Sequence, residues 1–77
     1  MTVFTELMPK PVYALVRYFL DDTRVVQVHH AGPKRAIISL STTVHGCHLM
    51  TTRRREYTNT NRIIRYVSYE EAIELGK

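Results

Sequence analysis

The sequence predicts an α+β fold, a small antiparallel sheet of three to five strands with a short C-terminal helix. Three observations carry this. Residues 34–41 alternate, with Ala36, Ile38 and Leu40 on one face and Arg35, Ile37, Ser39 and Ser41 on the other, the period of a half-buried strand. Segments rich in Val, Ile, Thr and Tyr are separated by turn chemistry. Near the end, Ser68 is followed three residues later by Glu71, the spacing of a capping box at a helix start.

Taken in order, residues 1–9 read as loosely held. Residues 11–20 fit two periods. Val12, Leu15, Val16, Phe19 and Leu20 match the stripe of an amphipathic helix opened by Pro11, whereas the density of Val, Tyr and Phe favours a strand. Both readings stand at this point. Val12, Tyr13, Val16, Tyr18 and Phe19 are expected in the core. Asp21, Asp22 and Thr23 supply a turn, and residues 24–30 are too short and too β-branched for a helix. Ala31-Gly32-Pro33 then breaks the chain, so residues 24–30 and 34–41 are expected to form a hairpin. Residues 42–52, with their β-branched and small side chains, read as a third strand. Thr58-Asn59-Thr60-Asn61 is a polar turn before a returning strand at residues 62–67, which makes the intervening arginines flank a hairpin tip. Glu70, Glu71, Ala72, Ile73, Glu74 and Leu75 suit the final helix, with acids in its first turn and Gly76 to stop it. Ala72, Ile73 and Leu75 are its expected apolar face.

A chain of 77 residues with 44% hydrophobic side chains reads as one small domain, residues 1–77, without a repeat or linker. Such a chain buries only about 60% of its unfolded surface, so a partner or a second copy would add useful stability. Cys47 is the only cysteine, which excludes an intrachain disulfide and fits a reducing compartment such as the cytoplasm. No apolar run approaches the ~18 residues that would cross a bilayer, and residues 1–11 lack the apolar stretch of a signal peptide. Neither export nor a membrane partner is expected.

The net charge of +4 is local. Arg53, Arg54, Arg55, Arg62 and Arg65 face a single acid in their stretch, Glu56, while the other six basic residues are balanced by six acids. Arginine outnumbers lysine eight to three, and its planar fork suits bidentate contacts with phosphate or carboxylate. Interleaved Tyr57 and Tyr66 supply stacking surfaces, and Asn59 a hydrogen-bonding amide. Arg53, Arg54, Arg55, Tyr57, Asn59, Arg62, Arg65 and Tyr66 are therefore the candidate binding residues. No helix-turn-helix, zinc-finger or RNP pattern accompanies them.

The expected function is non-enzymatic: a small basic regulator that attaches to nucleic acid or to a nucleic-acid-processing complex through the arginine-rich hairpin. The alternative is a protein-only adaptor or inhibitor, of the kind phages and mobile elements encode, docking the same hairpin on an acidic surface of a larger enzyme. Two further constellations carry less. His29, His30, His45, Cys47 and His48 would suit zinc if residues 24–30 lay beside residues 42–52, yet no Cys-x-x-Cys or His-x-x-x-His pair is present, and neither a metal nor another cofactor is expected. Catalysis by Cys47 would need an activating base, and on a strand His48 points to the opposite face.

Overall fold

The computed structural model describes residues 11–77. Its strands are β1 (Val12–Arg17), β2 (Thr23–Ala31), β3 (Arg35–Val44), β4 (His48–Thr51), β5 (Glu56–Asn59) and β6 (Ile63–Val67), with a 3₁₀ turn at Thr60–Arg62 and a C-terminal helix, α1 (Tyr69–Leu75). All pairings are antiparallel, and the sheet runs β4-β3-β2-β1-β6, with β5 also on β3. This is the small α+β antiparallel fold with a short C-terminal helix that was expected, and it carries a sixth strand. The loosely held residues 1–9 lie outside the described residues.

Segment 11–20 resolves as strand plus turn. Ala14 and Val16 face one side of the sheet, packed with Val26, Ala36 and Ile38, while Tyr13 faces the other, packed with Val25 and Ala72. A strand buried on both faces is apolar at every position, and any such run also satisfies a helical stripe. The pattern therefore could not decide, and pairing with β2 and β6 did. Phe19 and Leu20 leave the strand for the β1–β2 turn and are 76% and 86% exposed. Phe19 and Val12 are thus not core residues, contrary to expectation, whereas Tyr13 and Val16 are buried.

The hairpin of β2 and β3 forms as expected, closed by the Gly32 amide donating to the Arg35 carbonyl at 2.8 Å. Residues 42–52 do not form one strand. The chain reverses at His45 and Gly46, both with positive φ (52° and 76°), and β4 returns along the second half of β3. A glycine in the left-handed region costs little, and Gly46 is the turn signal within residues 42–52.

The arginine-rich hairpin does not exist. β5 pairs with the first half of β3, and β6 pairs with β1, so the strands on either side of Thr60–Arg62 are not partners. Asn59 pairs with Arg35, beyond the end of β2, and Ile63 with Val16, beside its beginning, so the two residues mark diagonally opposite corners of the sheet. In a flat sheet the four strand spacings between them would alone amount to about 19 Å. Four residue steps reach at most about 14 Å. The sheet is therefore rolled until these corners meet, the tilt and stagger of an incipient barrel. Arg62 fastens the seam by donating from Nη1 to the Tyr18 carbonyl at 2.8 Å, and the Tyr18 hydroxyl donates to Glu56 at 3.4 Å.

Ala14, Val16, Val26, Ala36 and Ile38 fill the inside of the roll, bordered by Tyr18, Val28, Leu40 and Ile63. Helix α1 covers part of the outside. Ser68 caps it as expected, its Oγ accepting from the Glu71 amide at 3.1 Å, and the structure ends it at Gly76. Of its expected apolar face only Ala72 is fully buried, while Ile73 is half-buried and Leu75 lies toward solvent. Gly76 does more than stop the helix, since a Cβ there would sit 3.0 Å from Thr43 Oγ1 and 3.1 Å from the Ala72 carbonyl. Thr43 in turn donates its hydroxyl to the Ile73 carbonyl and its amide to Gly76, which docks the helix end on β3. Among the described residues, no helix is long and apolar enough to cross a membrane.

Candidate functional site

Arg53, Arg54 and Arg55 are exposed and sit between β4 and β5, where four residues (52–55) span the two positions Ser39 and Leu40 of β3. The two surplus residues force the chain to buckle away from the ladder, with only the Thr52 amide still reaching the Leu40 carbonyl at 2.9 Å. This bulge presents the guanidinium groups at the sheet edge.

Directly after the bulge, β5 lies against β3 with Tyr57 opposite Ile37 and Asn59 opposite Arg35. Because Ala36 and Ile38 point into the roll, their alternates Arg35 and Ile37 point outward, and so do the residues opposite them. Tyr57, 75% exposed, stands as a ridge between two depressions. One, of about 360 Å³, is lined by Arg35, Tyr57, Thr58, Asn59 and Arg62. The other, of about 490 Å³, is lined by His30, Gly32, Pro33, Lys34, Arg35, Ile37 and Tyr57 and is mostly apolar. A third hollow, lined by Arg17, Asn59, Asn61, Arg62 and Ile64, extends the basic side past the seam.

Of the predicted binding residues, the fold thus brings Tyr57, Asn59 and Arg62 together, with Arg53, Arg54 and Arg55 just before them on the same edge. Arg65 and Tyr66 are not part of this surface. They lie on β6, where Arg65 is paired with Glu71 at 2.5 Å and Tyr66 lies opposite Ala14 of β1. That contact raises the Arg65 pKa and lowers that of Glu71, chiefly through the hydrogen bond between them. The fold adds Arg17, Lys34 and Arg35, which charge counting along the chain had set off against acids elsewhere. Three of those acids are engaged at other places: Asp22 with Arg24 at 3.2 Å, Glu71 with Arg65, and Glu74 with Lys77 at 3.2 Å. Among the described residues, no arginine or lysine lining the three hollows has a carboxylate partner. The outward position of Arg35 on an alternating strand was the available signal.

His29 occupies a bulge in β2, and its Nε2 lies 2.8 Å from the Oγ of Ser39, a buried residue. Partial burial first, and the nearby Arg55 charge second, hold its pKa below the ordinary imidazole value. The unfolded chain therefore takes up a proton at this position before the folded one does, so its contribution to stability is complete above the ordinary value and is lost as pH falls through it. We expect the melting temperature to drop between about pH 7 and pH 5.5 and the drop to shrink in His29→Gln. Equal slopes for both proteins would remove His29 from that dependence.

The histidine and cysteine residues do not converge. His30 pairs with Ile37 and His48 with Val44, seven positions apart on β3, or about 23 Å. His45 and Cys47 lie in the turn and not on a shared strand face. No group of three His, Cys, Asp or Glu able to hold a metal occurs among the described residues.

No protein-family model, curated protein or solved structure matches the chain.

Proposed function

We propose that this chain is a small non-enzymatic binding protein that attaches to nucleic acid, or to a complex that processes it, through the outer surface of β3 and β5 and the adjoining arginine bulge. One observation carries the reading: the fold gathers Lys34, Arg35 and Arg62 around the Tyr57 ridge, with Arg17 beyond Arg62, and among the described residues none of the four is ion-paired with a carboxylate. Guanidinium groups neutralise phosphates, and an exposed aromatic ring offers a face to a base, whereas an acidic protein surface would need only the charges. Because β5 and β6 do not pair, the arginines sit on no two-stranded tip of the kind that could enter a major groove, and the proposed contact is an open sheet surface. The exposed thiol of Cys47 fits a cytoplasmic setting.

The β1–β2 turn supports the second reading, a protein-only adaptor or inhibitor. Phe19 and Leu20 are its most exposed apolar residues, and Leu20 adopts a left-handed backbone (φ 42°), which a branched side chain rarely does without compensation. Capture of partners from a lysate by the tagged chain, with and without nuclease, separates the two. Nuclease-sensitive capture supports nucleic acid. Unchanged capture of a single protein after nuclease treatment supports the adaptor.

A further inference from the structure

Resting on the nucleic-acid reading, we propose that Tyr57 is a stacking platform for one unpaired base, so that the chain selects single-stranded over duplex nucleic acid. The two sides of the ridge differ in a way that charge alone does not require. Toward His30, Pro33 and Ile37 the surface is mostly apolar and roomy enough for a base at about 490 Å³. Toward Arg35, Asn59 and Arg62 it is polar and basic. A nucleotide has the same asymmetry, with a flat apolar base at one end and a phosphate at the other.

The strand supplies the alignment. On β5, Asn59 follows Tyr57 at two-residue spacing on the same face, about 7 Å away, a step comparable with that between successive phosphates of an extended strand, and Arg55 of the bulge precedes Tyr57 by two residues. The ring is also held at its base, because β5 is hydrogen-bonded to β3 and Ile37 lies directly opposite. In a duplex the bases are already stacked and paired, and extruding one costs more than a single aromatic contact returns. A base that is already free meets no such cost. The preference for single strands follows from that difference.

The test compares the wild-type chain with Tyr57→Ala, Tyr57→Phe and Tyr57→Trp. Probes are labelled single-stranded oligothymidylate and oligocytidylate, duplexes of the same length, and inorganic polyphosphate as a charge control. Wild type should bind the single strands at least about tenfold more tightly than the duplexes, Tyr57→Ala should lose about tenfold on single strands only, and Tyr57→Phe should retain the preference. The chain contains no tryptophan, so emission from Tyr57→Trp reports on position 57 alone and should be quenched by oligonucleotide but not by polyphosphate. Tyr57 is exposed, and matched thermal melts confirm that the variants are folded. If Tyr57→Ala binds as wild type does while replacement of Arg53, Arg54 and Arg55 weakens binding, the platform is wrong and the nucleic-acid reading survives. Absence of oligonucleotide binding by the wild type overturns both.

Discussion

Ile38→Ala is expected to unfold most of the chain at physiological temperature. Ile38 is 1% exposed and heads the largest fully buried side chains, at the centre of the cluster inside the rolled sheet. Removing a buried isoleucine to alanine costs about 2–5 kcal/mol, from lost transfer energy and from the cavity left behind. Elsewhere that would be a serious but tolerable loss. Here the buried apolar residues described are Tyr13, Ala14, Val16, Val25, Val26, Ala36, Ile38 and Ala72, three of them alanines, and a domain below about 70–80 residues rarely holds more than ~3–5 kcal/mol in total. The loss is comparable with the whole. Relaxation is also restricted, since Ile38 lies between Val28 on β2 and Glu56 on β5 in a pinned register. Denaturant titration of the variant should show a midpoint near zero denaturant, with Ile38→Val as an intermediate costing about 0.5–1.5 kcal/mol. A loss below about 1 kcal/mol for Ile38→Ala would mean that the interior of the roll is not packed as described.

Replacing Arg53, Arg54 and Arg55 together with glutamine should reduce affinity for single-stranded oligonucleotides by about a hundredfold in moderate salt without changing the melting curve. Hydrogen bonds to charged groups contribute about 1.5–3 kcal/mol when well formed, and exposure and ionic screening bring an open-edge arginine nearer to 1 kcal/mol. Three such losses give roughly the stated factor. The fold should not notice, because these side chains are exposed and the bulge has already left the β3 ladder. Salt dependence supplies a second measure. On single strands the slope of log affinity against log salt is about −0.7 per neutralised phosphate, so it should become shallower by about 2. Lys77→Gln, which removes a basic residue already paired with Glu74, should leave both quantities nearly unchanged. If the triple variant and Lys77→Gln behave alike, the bulge is not part of the contact.

The elements legible in the sequence were those decided by neighbours along the chain. Ser68 and Glu71 announce α1 because a cap is satisfied within one helical turn. Gly32 and Pro33 announce the β2–β3 turn, and the alternation after them names the buried face of β3 before any partner is known. Residues 42–52 failed for a local reason as well: the reversal at Gly46 needs no more than one glycine, and the flanking threonines and valine continue the strand pattern across it.

The candidate site was less legible, because its charges are neighbours through space. Arg17 and Arg35 are 18 positions apart on paper, and Arg35 lies 27 positions from Arg62, yet Arg62 shares one hollow with Arg35 and another with Arg17. Counting the run from residue 53 to residue 65 captured Arg53, Arg54, Arg55, Tyr57, Asn59 and Arg62 but also enrolled Arg65, whose charge is spent on Glu71. A local count cannot tell a solvent-facing arginine from one paired across the fold.

By itself, then, the chain determined its secondary-structure alphabet, the β2–β3 hairpin, the capped helix and an excess of arginine between residues 53 and 65, all set by short-range periodicity and turn chemistry. Only the tertiary structure decided that segment 11–20 is a strand, that β5 and β6 part company, and that the arginines front an outward sheet surface and not a hairpin tip. The reason is burial. Pairing β6 with β1 and β5 with β3 rolls the sheet around Ala14, Val16, Val26, Ala36 and Ile38, and the apolar surface removed from water inside that roll outweighs the local preference of adjacent segments to pair with each other.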